Sequence, residues 1–224
     1  MNEKVNLEIK KQTKTNNIIN KSGQEETSVY RTRYFVFSLL FFVSAAFLGA
    51  LLDIVTKNWI FSLLGLPGEY KRVEQDGIYW LLPDIFGFQT SLNEGGIFGM
   101  WQGQSFPLAI LSCVALAGIC LWIFFVVWRS CFMVFTLSLI AAGILGNLYD
   151  RLGFHALSYN GDFIYAVRDW IVVMIGNYHW PNFNLADTFL VCGTILILLQ
   201  PFFEWLAKKF SCSDKKIKHE NIEK

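Results

Sequence analysis

The chain has 224 residues, 54% of them hydrophobic and only 17% charged, with a formal net charge of +1 at pH 7. An average soluble domain carries about 25% charged residues, so this chain lacks the groups that keep a surface wet, which excludes both disorder and an ordinary soluble enzyme. The near balance of 19 basic and 18 acidic residues leaves no field for an acidic polymer, nucleic acid included. With a mean hydropathy of +0.39 and its apolar residues gathered in long blocks, the sequence is that of a membrane protein.

In chain order, residues 1–33 are rich in Lys, Asn, Gln, Thr and Glu and read as a flexible tail. A bilayer core of about 30 Å takes roughly 20 apolar residues per helix. The first span is 34–56: uncharged from Tyr34 to Leu52, it runs into Asp53 and Lys57 instead of a small-residue cleavage site, which sets it apart from a cleavable signal sequence. The stretch 58–105 mixes aromatics, glycines and charges, and the runs Ile78–Leu82 and Phe86–Leu92 predict short strands. Phe106–Trp128 and Ser130–Tyr149 are uncharged and give spans over 106–128 and 130–149. Residues 170–183 are apolar and aromatic but too short to span, a composition suited to the membrane interface. Thr188–Phe203 reaches spanning length only with Asn184–Asp187 as its first turn, giving a fourth span over 184–206; 208–224 reads as a second flexible tail.

The expected fold is therefore an all-α polytopic membrane protein with one domain over 34–207. It would have four transmembrane helices, a small extracytoplasmic β-sheet, or cradle, between helices 1 and 2, and an interfacial loop between helices 3 and 4. Four spans put both termini on one side of the membrane. That side holds fourteen of the Lys and Arg residues against five on the other, so the positive-inside rule makes both termini cytoplasmic. The five cysteines avoid the outward loops, so no disulfide framework is expected. His155, His179 and His219 are too scattered for a zinc set, and no metal is expected.

Ionisable residues at membrane depth are expensive and therefore functional candidates. Asp53 and Lys57 sit four apart at the exit of span one. Gly146-Asn147-Leu148-Tyr149-Asp150-Arg151 closes span three, with Asn147 and Asp150 on one helix face. Asn184-Leu185-Ala186-Asp187 opens span four, and Val167-Arg168-Asp169-Trp170-Ile171 sets an acid among apolar residues between them. Each has a plain structural reading as well. Asp53–Lys57 makes a helix-end ion pair, Asn184 and Asp187 an N-cap and its capping-box partner, and Asp150–Arg151 a loop-anchoring salt bridge. Together, however, several Asp and Asn residues on helix ends under aromatic loops suit a polar pocket. Two carboxylates within about 3 Å cannot both ionise, so one keeps a proton while the other acts as base, which is enough to activate water for amide hydrolysis.

These motifs resemble those of lipoprotein signal peptidase (signal peptidase II), the aspartic membrane peptidase family, through most of 34–206. Asp53-Ile54-Val55-Thr56-Lys57 is similar to the family's Asp-x-x-[Ser/Thr]-Lys, and Asn93-Glu94-Gly95-Gly96-Ile97-Phe98 to its Asn-x-Gly-x-x-Phe. Gly146–Arg151 matches Gly-Asn-x-x-Asp-Arg, and Phe183–Asp187 matches the Phe-Asn-x-Ala-Asp that carries one catalytic aspartate. The second catalytic aspartate follows a Val-x-Asp-aromatic-Ile pattern. Asp169 fits it; Asp162, in Asp162-Phe163-Ile164, competes but lacks the preceding Val. The loop 151–168 is longer than is typical of the family.

The resemblance implies an Asp169–Asp187 dyad, with Asp187 leaning towards base and Asp169 towards acid. Asn93, Asn147, Asp150, Arg151 and Asn184 would orient dyad and substrate, braced by Asp53 and Lys57. It also implies no cofactor and cleavage of prolipoproteins on the amino side of a diacylglyceryl-modified cysteine. The partners would be that substrate and membrane lipid, with no nucleic acid and a monomeric enzyme in a bacterial cytoplasmic (inner) membrane. Other intramembrane proteases are disfavoured: neither the Gly-x-Ser-Gly of a rhomboid-like enzyme nor the Gly-x-Gly-Asp of a presenilin-type one occurs. A small transporter would place acids near mid-membrane, whereas these cluster at one edge.

Overall fold

The computed structural model of the protein describes the chain apart from residues 1, 70, 72, 74–76, 96–102, 104, 128, 129, 160 and 221–224. Side chains are described from residue 28 onward, apart from those residues and 126, 127, 207 and 210–220. The elements are α1 (Asn2–Leu64), β1 (Tyr79–Leu82), β2 (Phe86–Asn93), α2 (Ser105–Trp122), a π-helical turn (Ile123–Val127), α3 (Cys131–Arg151), β3 (Ser158–Tyr159), β4 (Asp162–Phe163), β5 (Val167–Ile175), β6 (Tyr178–Phe183) and α4 (Leu185–Glu220).

Among the described residues four helical stretches are long and apolar enough to cross a membrane: Ser28–Leu64, Ser105–Phe125, Cys131–Arg151 and Leu185–Leu206. They lie where the apolar blocks placed spans. The helices extend further at both ends of the chain, where 1–33 and 208–224 read as flexible tails: α1 is helical from Asn2 and α4 as far as Glu220. Lys, Gln and Glu, which mark a polar tail, are also good helix formers, and extending a nucleated helix costs far less than starting one.

The core follows a stripe on α1. Phe42, Ala46, Ala50, Asp53, Lys57, Ile60, Phe61 and Leu64 are all buried, at the three- and four-residue spacing of one helix face. The upper part of the stripe packs with Ile119, Ile123, Val134, Leu137, Ala141 and Ile144 from α2, the π-turn and α3. The lower part, from Ile60 to Leu64, packs under Trp170 and Ile171 of β5. The opposite faces expose Phe37, Phe47, Phe125 and Leu198, apolar surface of an extent that suits lipid and not water. Small residues let α1, α3 and α4 approach closely, as membrane helices commonly do. At Gly146 a Cβ would lie 2.5 Å from Asp53 Oδ2 and 3.1 Å from Ala186 Cβ.

The sheet differs from the expectation. β1 and β2 form where short strands were expected, but the sheet is four-stranded and antiparallel, in the order β1-β2-β5-β6. Half of it therefore comes from the segment read as an interfacial loop between helices 3 and 4. The first six residues of β5 are all buried, so no alternation of apolar and polar residues survives to mark a strand. β6 carries Pro181, which a central strand would exclude; as an edge strand it can spare that donor. Loop 151–168 is folded too. Tyr149 Oη donates to the Phe154 carbonyl at 2.9 Å, and β3 and β4 pair as a small hairpin.

Candidate active site

The polar clusters singled out in the sequence converge where the C-terminal ends of α1 and α3 meet the start of α4 and the strand pair β2–β5. Their register brings Ser91 opposite Asp169 and Asn93 opposite Val167. Asn93 and Asp169 are thus diagonal neighbours on one face, within reach of long side chains: Asn93 Nδ2 donates to Asp169 Oδ2 at 3.2 Å.

Beneath lies a buried set of four charges. Lys57 Nζ lies 2.6 Å from Asp53 Oδ2 and 3.1 Å from Asp150 Oδ2, with all three side chains at 0% exposure. Arg168 meets Asp150 from the other side, donating to Oδ1 from Nη2 at 2.8 Å and Nε at 3.1 Å, and to Oδ2 from its backbone N–H at 2.9 Å. Two carboxylates and two cations balance, the condition for holding charge away from water. Asp53 also reaches across to α4, where its Oδ1 accepts from the Ala186 N–H at 2.9 Å, one of the donors a helix N-terminus leaves unpaired.

A layer of amides covers this set. The third hydrogen-bonding partner of Lys57 is Asn147 Oδ1, at 3.0 Å. An ammonium only donates, so this bond fixes the orientation of the Asn147 amide; its Nδ2 must face the other way, and donates to Asp187 Oδ1 at 2.8 Å. Asn184 Nδ2 donates to Asp169 Oδ1 at 2.7 Å and to Asn147 Oδ1 at 3.2 Å. Asn184 and Asp187 also form a reciprocal cap: the Asp187 N–H donates to Asn184 Oδ1 at 2.9 Å, and the Asn184 N–H to Asp187 Oδ2 at 3.2 Å. This is the capping box anticipated as the plain reading, and it coexists with the bridging role.

Asp169 is 2% exposed, while Asp187 is only partly buried. Both oxygens of each carboxylate accept from amides, and the described residues give neither a salt bridge. Burial, reinforced by the neighbouring charge of Asp187, pushes the Asp169 carboxyl up to about 8, against the opposing influence of Lys57, Asn93 and Asn184. At neutral pH the arrangement therefore favours a proton on Asp169.

All nine candidate residues thus fall in or beside this network. Arg151 does so differently from its plain reading. Asp150 pairs with Lys57 and Arg168, while Arg151, about 100° further round α3, donates from Nη2 to the Gly95 carbonyl at 3.2 Å. Asp162, the competing acid, sits exposed on the β3–β4 hairpin, paired in register with Tyr159. The part of the Asn-x-Gly-x-x-Phe segment at 96–98 lies outside the described residues. Arg168 and Asn58, joined at 2.5 Å, were not among the candidates. A cation inside the apolar run 167–173 was the available signal for Arg168; Asn58 offered none.

A family model described as signal peptidase (SPase) II matches residues 45–203. The lipoprotein signal peptidase of Rhodopirellula baltica is 43% identical over 164 residues, which cover 72% of this chain and 71% of that one. That of Clostridium novyi is 31% identical over 154 residues, 67% of this chain and 90% of the relative. Among solved structures, a bacterial membrane enzyme determined by the in meso method at 1.9 Å resolution superposes with a TM-score of 0.55 at 25% identity, covering 70% of this chain and 90% of that one. A second, at 2.3 Å resolution, shares the fold with a TM-score of 0.58.

Proposed function

Since the chain belongs to the signal peptidase II family, a membership carried by the match over 45–203 and by relatives up to 43% identical, we propose that it is a membrane-embedded aspartic endopeptidase that removes signal peptides from prolipoproteins. The bond cleaved is on the amino side of the diacylglyceryl-modified cysteine. Asp169 and Asp187 form the dyad. The observation that carries this reading is the contrast in how the acids are held among the described residues: Asp53 and Asp150 are paired with cations, whereas Asp169 and Asp187 are held by neutral amides.

Asp187, partly exposed at the start of α4, accepts a proton from water as the resulting hydroxide attacks the scissile carbonyl carbon. Asp169, holding its proton, delivers it to the carbonyl oxygen, giving a neutral tetrahedral gem-diol. Collapse breaks the C–N bond as Asp187 passes its proton to the cysteine nitrogen and Asp169 recovers one from the diol. The products are a signal peptide ending in a carboxyl group and a lipid-modified cysteine with a free amine. Asn147 and Asn184 keep both carboxyls aimed, Asn93 holds the outer oxygen of Asp169, and Arg151 orients the substrate backbone. Asp53, Lys57 and Asp150 brace the floor.

The signal helix and lipid lie against the apolar faces of the spans, with the sheet cradling the interface. The enzyme sits in the bacterial cytoplasmic membrane as a monomer, with its termini in the cytoplasm, its site near the extracytoplasmic face, and no cofactor. The peptidase domain is 34–207, and 1–33 and 208–224 are appendages to it.

The test is processing of a diacylglyceryl-modified prolipoprotein by the purified full chain. Asp169→Asn and Asp187→Asn should each lower kcat by at least about 10³-fold, the upper part of the range for acid–base groups. Asp162→Asn should cleave like the wild type. Loss with Asp162→Asn but not with Asp169→Asn would move the dyad to the hairpin, and a folded wild type that never cleaves would sink the peptidase reading.

A further inference from the structure

Arg168 lies immediately before the proposed catalytic Asp169 and points away from it into the floor of the site. Its side chain is buried, forks onto Asp150, donates from Nη1 to Asn58 Oδ1 at 2.5 Å, and sits with its guanidinium carbon 5.8 Å from the centroid of the Phe61 ring. It therefore joins β5 to α3 and α1 at once. Only a planar guanidinium offers donors in this many fixed directions; an ammonium at the same place is a point charge.

The charge balance makes this more than a strut. Asp53 and Asp150 carry two negative charges and Lys57 supplies one positive charge between them. Without Arg168, a net negative charge remains buried beneath the amide layer, and Lys57 is drawn towards the uncompensated Asp150. Lys57 is also the donor that fixes the Asn147 amide, and through it the hydrogen bond to Asp187.

We propose that Arg168 is a positioning residue of the peptidase: by neutralising Asp150 from β5 it frees Lys57 to orient Asn147, and it pins the strand that carries Asp169. This rests on the dyad reading above. Other charged and titratable groups also bear on this region: Asp53 and Lys57 from α1, Asp150 and Arg151 from α3, His155 from the loop after it, Asp169 on β5 itself and Asp187 from α4. The sequence gives β2 no charged residue opposite Arg168, whose register partner is Leu92.

The experiment compares wild type, Arg168→Gln and Arg168→Lys as full chains on a diacylglyceryl-modified prolipoprotein. It reads kcat, KM, the pH profile of kcat and thermal unfolding. Arg168→Gln should lower kcat by about 10- to 100-fold, the scale of a small misplacement of reacting groups, with KM within about twofold. Its acid limb should move up by about half to one pH unit, because the uncancelled Asp150 charge opposes ionisation of the dyad. Arg168→Lys should return the limb to its wild-type position and recover part of kcat.

A folded Arg168→Gln with wild-type kcat and limbs overturns the proposal. So does an equal loss of kcat in both variants with unmoved limbs, the mark of a strut alone. If Arg168→Gln does not accumulate as folded protein, Arg168→Lys against wild type decides. Lowered kcat with KM kept supports the proposal, and raised KM with kcat kept overturns it. A wild type that fails to cleave is a separate result, visible before any substitution, and removes the peptidase reading itself.

Discussion

Two groups of acids lie one above the other, and the protein treats them in opposite ways. Asp53 and Asp150 are buried against Lys57 and Arg168, with every carboxylate oxygen facing a cation or a backbone N–H. Asp169 and Asp187 receive hydrogen bonds from Asn93, Asn147, Asn184 and backbone, and among the described residues neither has a salt bridge. A buried carboxylate beside cations has its charge compensated, whereas one held by neutral amides has its position fixed without a compensating charge. Neutral amides that touch both groups, Asn147 above all, separate the cation-paired acids from the proposed dyad.

That separation can be broken from below. Lys57→Met leaves Asp53 without its cation and removes the anchor of Asn147. It should cost about 3–5 kcal/mol, the penalty for removing one member of a buried ion pair, read as a large fall in unfolding temperature together with lost processing. Gly146→Ala attacks the packing between the groups by forcing a methyl against Asp53 Oδ2 and Ala186. It should cost about 1–3 kcal/mol, and a variant as stable as wild type would show that α1 and α4 can move apart freely.

The upper group is sharpened by pH. With its carboxyl pushed up to about 8, Asp169 holds its proton at neutrality, so activity should fall as pH rises through about 8. The same group binds more protons folded than unfolded between its ordinary value of 3.8 and about 8. Its contribution to stability is therefore full below the lower value and lost as pH rises through the upper one. Asp169→Asn should remove that slope, and unfolding temperatures measured from pH 5 to 9 will show whether it does. The smallest effect is expected at Asn93. Its hydrogen bond lowers the Asp169 value, so Asn93→Ala should move the alkaline limb upward by about half a unit; a downward shift would assign the limb to another group.

Much of this was legible because charged residues are scarce here. An acid among Val167, Trp170 and Ile171 stands out, and so do polar residues at the ends of uncharged blocks. Two kinds of information were missing. β5 is buried on both faces, which removes the alternation that betrays a strand, so a segment that completes the sheet resembled an interfacial loop. The partners of Asp150 were also out of reach: its neighbour Arg151 was the obvious choice, yet the helix turns that side chain away, and Asp150 pairs with Lys57 of α1 and with Arg168, eighteen residues further along on β5. Asn184–Asp187 shows a different case: the capping box anticipated from the sequence forms, and the same two side chains also bond to Asp169 and Asn147.

The strand order β1-β2-β5-β6 also constrains how the molecule is made. β2 cannot complete its pairing until β5, about eighty residues later, has been synthesised, and Asp53 finds its backbone partner at Ala186 only once α4 is in place. Contacts at such separations close late in folding. A nascent chain with three spans inserted therefore holds Asp53, Lys57 and Asn147 but neither Asp169 nor Asp187, so the upper pair is the last part of this network to be put in place.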